Sequence, residues 1–214
     1  MPFDFLRRKK EPAASTVPLV PGVGEQDGIP FDGLTEDWRL VGRMLVAGRL
    51  SDALNKRVPI AIAGVSWAPI DGSEPLMPAP GLQSVDPYDL VIVLAGYESL
   101  PDMNDDERTA HRIHKVSYEV ALEVPPFRVV GTVLLHPGSE PESLLQRSSD
   151  MFVPVVDATA TMGDAPVKAP DGAAILVNRQ YLRGVEQVDA RTGERHAKLP
   201  GNSMGGVNWS DRAR

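Results

Sequence analysis

The sequence predicts a mainly β protein: two tandem small antiparallel β-sheet or barrel-like domains, each with one short helical turn, flanked by disordered tails. Three observations carry that prediction. Glycine and proline number 19 and 20 among 214 residues, well above their usual combined share of about 12%, which argues against a helical bundle and for short elements joined by turns. The segment Val116 to Val124 alternates at the period of a half-buried strand. Finally, blocks of similar residues recur in the same order further along the chain, the mark of an internal repeat.

The repeat is clearest where Trp38-Arg39-Leu40-Val41-Gly42-Arg43-Met44-Leu45-Val46 aligns without a gap on Phe127-Arg128-Val129-Val130-Gly131-Thr132-Val133-Leu134-Leu135, at an offset of 89. Leu50-Ser51-Asp52-Ala53-Leu54-Asn55-Lys56 answers to Pro141-Glu142-Ser143-Leu144-Leu145-Gln146-Arg147, and Val58-Pro59-Ile60 to Val153-Pro154-Val155. Leu90-Val91-Ile92-Val93, with Tyr97 beyond, answers to Ala174-Ile175-Leu176-Val177 with Tyr181.

In chain order, residues 1–30 form a basic, aromatic N-terminal segment and a Pro/Gly-rich linker with too little apolar content to fold. Residues 31–100 form the first β domain. Its strand 38–46 carries a central glycine, a sign of a bend or bulge. A turn at Ala47-Gly48 leads to a helical turn, Leu50 to Asn55, capped by Ser51 or Asp52 and too short to stand without packing Leu50 and Leu54 on the sheet. Strands at 58–65 and 89–95 complete it, and Ile29 to Leu34 supplies a poor leading strand. The loop 68–88, with prolines at 69, 75, 78, 80 and 87, is either a tolerated insertion or a place where function is carried. Residues 101–115 are an acidic linker.

The second β domain spans 116–189. Val116 to Val124 alternates cleanly, with Val, Tyr, Val, Leu and Val on one face. Pro125-Pro126 turns the chain into Phe127 to Leu135. After His136-Pro137-Gly138, Ser139 or Glu140 starts the second short turn, with Leu144 and Leu145 packing. Strands at 152–160 and 173–179 follow. Residues 190–214 have no period and form a disordered tail.

The turn Leu50-Ser51-Asp52-Ala53-Leu54-Asn55 and the strands Phe152-Val153-Pro154-Val155-Val156-Asp157-Ala158-Thr159 and Ile175-Leu176-Val177-Asn178-Arg179 together resemble a bacterial family of small β domains whose activity is not established. The resemblance covers most of residues 31–188 and implies a tandem β architecture. It implies no substrate and no catalytic residues.

Composition excludes several classes of function. There is no cysteine, so disulfide scaffolds, thiolate zinc sites and thiol catalysis are out. No apolar run reaches the roughly 18 residues of a membrane span. No signal segment follows the N-terminal charges. A cytoplasmic protein is expected, peripheral to a membrane at most. The net charge of −7 is unevenly placed: residues 12–188 carry −11, while residues 1–11 and 189–214 carry +2 each. An acidic body repels phosphate, which argues against nucleic acid except weakly through the basic tails.

Few motifs survive inspection. His111 and His114 have metal-ligand spacing beside Asp102, Asp105, Asp106 and Glu107, but an exposed polar linker accounts for them, and neither a metal nor a cofactor is expected. Gly201-Asn202-Ser203-Met204-Gly205 matches a nucleophile elbow without the flanking strand and helix or a later histidine. Asp157, Asn178 and Arg179 are polar residues set in apolar strands of the second copy, where the aligned positions of the first copy are the apolar Ile62, Leu94 and Ala95. With His136 they are the candidate ligand-binding set, and local turn hydrogen bonding is the plainer account of them. Phe3, Phe5 and Leu6 followed by Arg7, Arg8, Lys9 and Lys10 compose a weak anchor for anionic lipid or a partner contact. The expected function is therefore non-enzymatic binding, as an adaptor with a protein partner and an N-terminal tether to the inner membrane face. Alternatives are a small-ligand sensor or enzyme with a polar site between the copies, and a nucleic-acid binder acting through its tails.

Overall fold

The computed structural model describes residues 28–96, 99, 115–146, 150–167 and 174–189. The N-terminal segment, the His111/His114 pair with its acidic neighbours and the C-terminal tail lie outside the described residues. Among those described, the strands are β1 (Ile29–Leu34), β2 (Trp38–Met44), β3 (Ile60–Pro69), β4 (Met77–Pro78), β5 (Ser84–Val85), β6 (Ile92–Ala95), β7 (Val116–Val124), β8 (Phe127–Leu135), β9 (Phe152–Met162), β10 (Ala165–Val167), β11 (Ala174–Asn178) and β12 (Gly184–Gln187). Helix α1 (Leu50–Asn55) joins β2 to β3, and short 3₁₀ turns lie at Pro87–Asp89 and Pro141–Leu145. The mainly β, antiparallel class expected from the sequence is what forms.

The strands join in one sheet in the order β12-β7-β8-β9-β11-β6-β1-β2-β3-β4, with β10 on β9 and β5 on β3. The halves meet at β6 and β11, where Val93 faces Leu176 and Leu94 faces Ile175. Residues 90–95 and 175–177 are all buried, and such uninterrupted apolar runs belong to strands covered on both faces. On one face Val93, Ala95 and Leu176 pack with Phe31, Leu40, Met44, Leu50, Leu54 and Ile62. On the other, Ile92, Leu94, Ile175 and Val177 pack with Val120, Leu122, Phe127, Val129 and Val155. Each core borrows from the other half: Met151 and Phe152 complete the first, Leu34 and Val91 the second.

The strand glycines mark bulges in both halves. The β2–β3 register shifts between Val41 and Arg43, and the β8–β9 register shifts between Val130 and Thr132. Across from Gly42 stands Gly64 at φ 60°, and across from Gly131 stands Asp157 at φ 51°. Close approach explains the strand glycines: a Cβ on Gly131 would lie 2.8 Å from the Ala158 Cα, and one on Gly42 3.0 Å from the Ala63 carbonyl oxygen. The register makes Gly64, not Ile62, the counterpart of Asp157, so the sequence alignment was two residues off in this strand.

Other expectations change in detail. The leading strand β1 is well formed, paired with β2 over its whole length and with β6 over Asp32, Gly33 and Leu34. Helix α1 starts behind Arg49 with no side-chain cap, placing Ser51 and Asp52 inside its first turn, while Leu50 and Leu54 are buried as expected. Leu144 is buried and Leu145 exposed, because adjacent residues of a tight 3₁₀ turn cannot both face the sheet. The 89–95 strand begins only at Ile92, since the Asp86 carboxylate accepts from the Tyr88 N–H and holds residues 87–89 in a turn. The loop 68–88 is laid along β3, contributing β4 and β5.

The outer edges of the halves differ. In the first, β6 lies against β1 and β3 is the outermost long strand, its outer edge followed by the two-residue β4 and β5 and the backbone between them. In the second, β11 lies against β9, and the outermost long strand is β7, covered by β12 from Val120 to Glu123.

Candidate functional site

The four residues suggested as a ligand site are placed by very different constraints. Asn178 is fully buried. Its amide donates to the Leu90 carbonyl at 2.7 Å and the Pro87 carbonyl at 3.3 Å, and its side-chain oxygen accepts from the Gln180 N–H at 2.9 Å. Arg179 turns into the 141–146 turn, donating to the carbonyls of Leu144 (2.8 Å), Ser143 (3.1 Å), Asp150 (3.4 Å) and Gln146. Burial lowers its pKa, partly offset by Asp150. Asp157 is exposed on the β9 bulge, and His136 is exposed in the turn after β8. Among the described residues no hydrogen bond or ion pair joins any two of the four side chains. Asn178 and Arg179 sit together at the end of β11 and bind backbone; Asp157 and His136 are elsewhere.

Asn178 has a partner device in the first half. The Asn55 side chain accepts from the Phe152 N–H at 2.7 Å and donates to the Phe152 carbonyl at 3.3 Å. Each half thus grips the other's backbone with one asparagine. Tyr181 adds a hydroxyl bond to the Tyr88 carbonyl at 3.1 Å. Its pKa is raised by burial first, then by the negative fields of Glu36 and Asp89.

The surface that is assembled but left open lies on β2, β3 and β4. Leu40 pairs with Trp67 and Trp67 with Met77; directly paired residues share a face, and Trp38, two residues before Leu40, shares it as well. The Trp38 and Trp67 rings stand 4.4 Å apart at 50°, within the range of a favourable tilted aromatic pair. Trp38 is 39% exposed and Met77 40%, and Leu76 and Leu82 of the same loop are exposed too. Trp67 packs inward against the first core. Trp38 is fixed from below: the Thr35 hydroxyl oxygen accepts from the Trp38 N–H at 2.9 Å and from the Asp37 N–H at 3.3 Å.

This apolar surface is bordered by carboxylates. Glu36 and Asp37 precede Trp38, and Asp71 and Glu74 fill the turn before β4; all four are exposed. A bond from the Ile70 N–H to the Asp37 carbonyl, 3.0 Å, ties the two turns side by side. Hydrogen bonds from Ser73 hold Asp71 below the usual carboxylate range. No lysine or arginine occurs between residues 58 and 107. Nearby Arg39 is engaged by Asp32, with Nε donating to Oδ1 at 2.9 Å, and that hydrogen bond foremost raises the guanidinium pKa against the opposing effect of burial. The sequence reading flagged loop 68–88 but not the tryptophans, whose period-2 placement reads as ordinary core. The partial exposure of Trp38 and Met77 on either side of Trp67 is what makes them a surface.

Among the described residues no cluster of three or more metal-ligating side chains occurs, and no helix is long and apolar enough to cross a membrane. Comparison with protein-family models, with curated proteins and with solved structures finds no match.

Proposed function

We propose that the chain is a non-enzymatic binding module, an adaptor that takes a protein partner on the Trp38–Trp67–Met77 surface and is tethered to an anionic membrane face through Phe3, Phe5, Leu6, Arg7, Arg8, Lys9 and Lys10. The observation that carries the docking part is an exposed aromatic and methionine patch rimmed by four carboxylates. Aromatic and methionine side chains are enriched in interface cores, and Met adapts to varied partners. The acidic rim favours a segment with apolar side chains next to cations and disfavours phosphate or anionic lipid. The rigid double-faced sheet supports this reading, since it fixes the patch before binding and lowers the ordering cost.

Two measurements test it. In a chain lacking residues 1–11 with Trp209→Phe, a synthetic peptide of apolar residues followed by arginines should perturb tryptophan emission saturably. That response should weaken about tenfold or more on Trp38→Ala, as for an interface anchor. Equal binding of a peptide with glutamates in place of the arginines would remove the docking reading. For the tether, the full chain should co-sediment with vesicles containing phosphatidylserine, and the chain lacking residues 1–11 should not.

A further inference from the structure

We infer that the patch has a built-in occupant: the chain's own segment Phe3 to Lys10, seated on Trp38, Trp67 and Met77 of the same molecule with its cations against Glu36, Asp37, Asp71 and Glu74. The inference rests on the docking reading above and names the ligand class within reach. The segment offers Phe3, Phe5 and Leu6 followed by four consecutive cations. The surface offers the reverse: exposed aromatic and thioether side chains beside four exposed anions. Elsewhere the described body is less suitable, because the cations Arg128 and Arg183 lie exposed in the second half, whereas β3 to β6 carry none.

Reach favours seating within one molecule. β1 runs antiparallel to β2, with Ile29 opposite Met44 and Leu34 opposite Arg39. The chain therefore enters at the end of β1 away from Trp38, and must travel back about 20 Å, six residues of strand. Residues 11–27 supply 17 residues of chain, and at up to roughly 3.3 Å per residue that length exceeds the distance. A linker able to span the sites gives an effective concentration on the order of 1 mM. A contact with a dissociation constant of about 100 μM would then be made about nine-tenths of the time. A seated segment is withheld from lipid, and an arriving partner must displace it. Partner binding would thus release the tether.

The absence of native cysteine makes the test clean. In the full chain, Asp4→Cys carries a nitroxide quencher and Trp209→Phe leaves emission from Trp38 and Trp67. Emission should fall by roughly half or more relative to the diamagnetic label, independently of protein concentration. It should recover in about 0.5 M salt and in the variant Glu36→Lys/Asp37→Lys/Asp71→Lys/Glu74→Lys. Quenching that grows with concentration would overturn seating within one molecule, and quenching indifferent to the charge reversal would overturn the recognition argued here. Unquenched emission overturns the inference. If that unquenched chain still binds added cationic peptide, the docking reading stands; if it binds none, both fall.

Discussion

β3 and β7 are the outermost long strands of their halves, and short strands flank part of the outer edge of each, yet the surfaces beside them differ. β12 runs beside β7 from Val120 to Glu123, and Val120, Leu122 and Val124 are at most 1% exposed. β3, ten residues long, pairs with β2 on its inner edge and on its outer edge meets β4 at Ser66 and Trp67 and β5 at Ile60 and Ala61, with the Ala79 N–H on the Val65 carbonyl and the Ile62 N–H on the Gln83 carbonyl. Both strands bury apolar residues in a core, but around β3 the flanking Trp38 and Met77, on either side of Trp67, stay 39% and 40% exposed.

The most forceful way to break this comparison is to truncate one large side chain in each half. Leu122→Ala should cost about 3 kcal/mol by transfer and cavity terms. Trp38→Ala, already open to solvent, should cost about 1 kcal/mol; urea denaturation of both variants measures the contrast, and equal losses would mean the first half is as closed as the second. The asparagine clasps come next. Asn178→Ala strands two carbonyls and an N–H in a dry site and should cost about 3 kcal/mol, against about 1 kcal/mol for the half-buried Asn55→Ala. Thermal melts would rank them.

The bulges give smaller differences. Gly131→Ala drives a Cβ into the Ala158 backbone and should cost about 2 kcal/mol, whereas Gly42→Ala meets the Ala63 carbonyl less closely and should cost about 1 kcal/mol. Smallest is the exchange of the left-handed residues across from them. Gly64→Asp should lose about 1 kcal/mol, while Asp157→Gly should gain about 0.5 kcal/mol as relief of the left-handed backbone exceeds the added chain entropy. Denaturant midpoints of the two variants should move in opposite directions, and a loss on Asp157→Gly would assign that side chain a stabilising role that its exposure does not suggest.

Local pattern carried much of this into the sequence. The alternation of Val116 to Val124, the Pro125-Pro126 turn, the limits of Phe127 to Leu135 and the six residues of α1 were all legible, because each depends on neighbours within a turn or a strand. The two strand glycines were legible as bulges for the same reason. Pairing at a distance was not. Nothing near Leu90 or Ile175 says that β6 and β11 lie side by side, or that β6 joins β1 while β11 joins β9. β10 and β12 are short and weakly patterned, and β4 and β5 hide in a proline-rich loop. For the site, polarity within apolar strands singled out Asn178 and Arg179, which is the signature of buried hydrogen bonding as much as of ligand binding. The tryptophans escaped notice because exposure depends on what packs over the sheet face, which local pattern does not encode.

The seam between β6 and β11 constrains how the molecule can be made. When the ribosome has released the chain only as far as Ala95, β6 presents an unpaired apolar edge, and the first core still lacks Met151, Phe152 and Leu176. The first half must wait for roughly eighty more residues, several seconds of synthesis at ordinary elongation rates, with that edge open to wrong neighbours. The acidic residues that follow, Asp102, Asp105, Asp106 and Glu107, emerge during this interval, and the like charge they bring to nascent chains on one messenger opposes edge-to-edge association until β11 arrives.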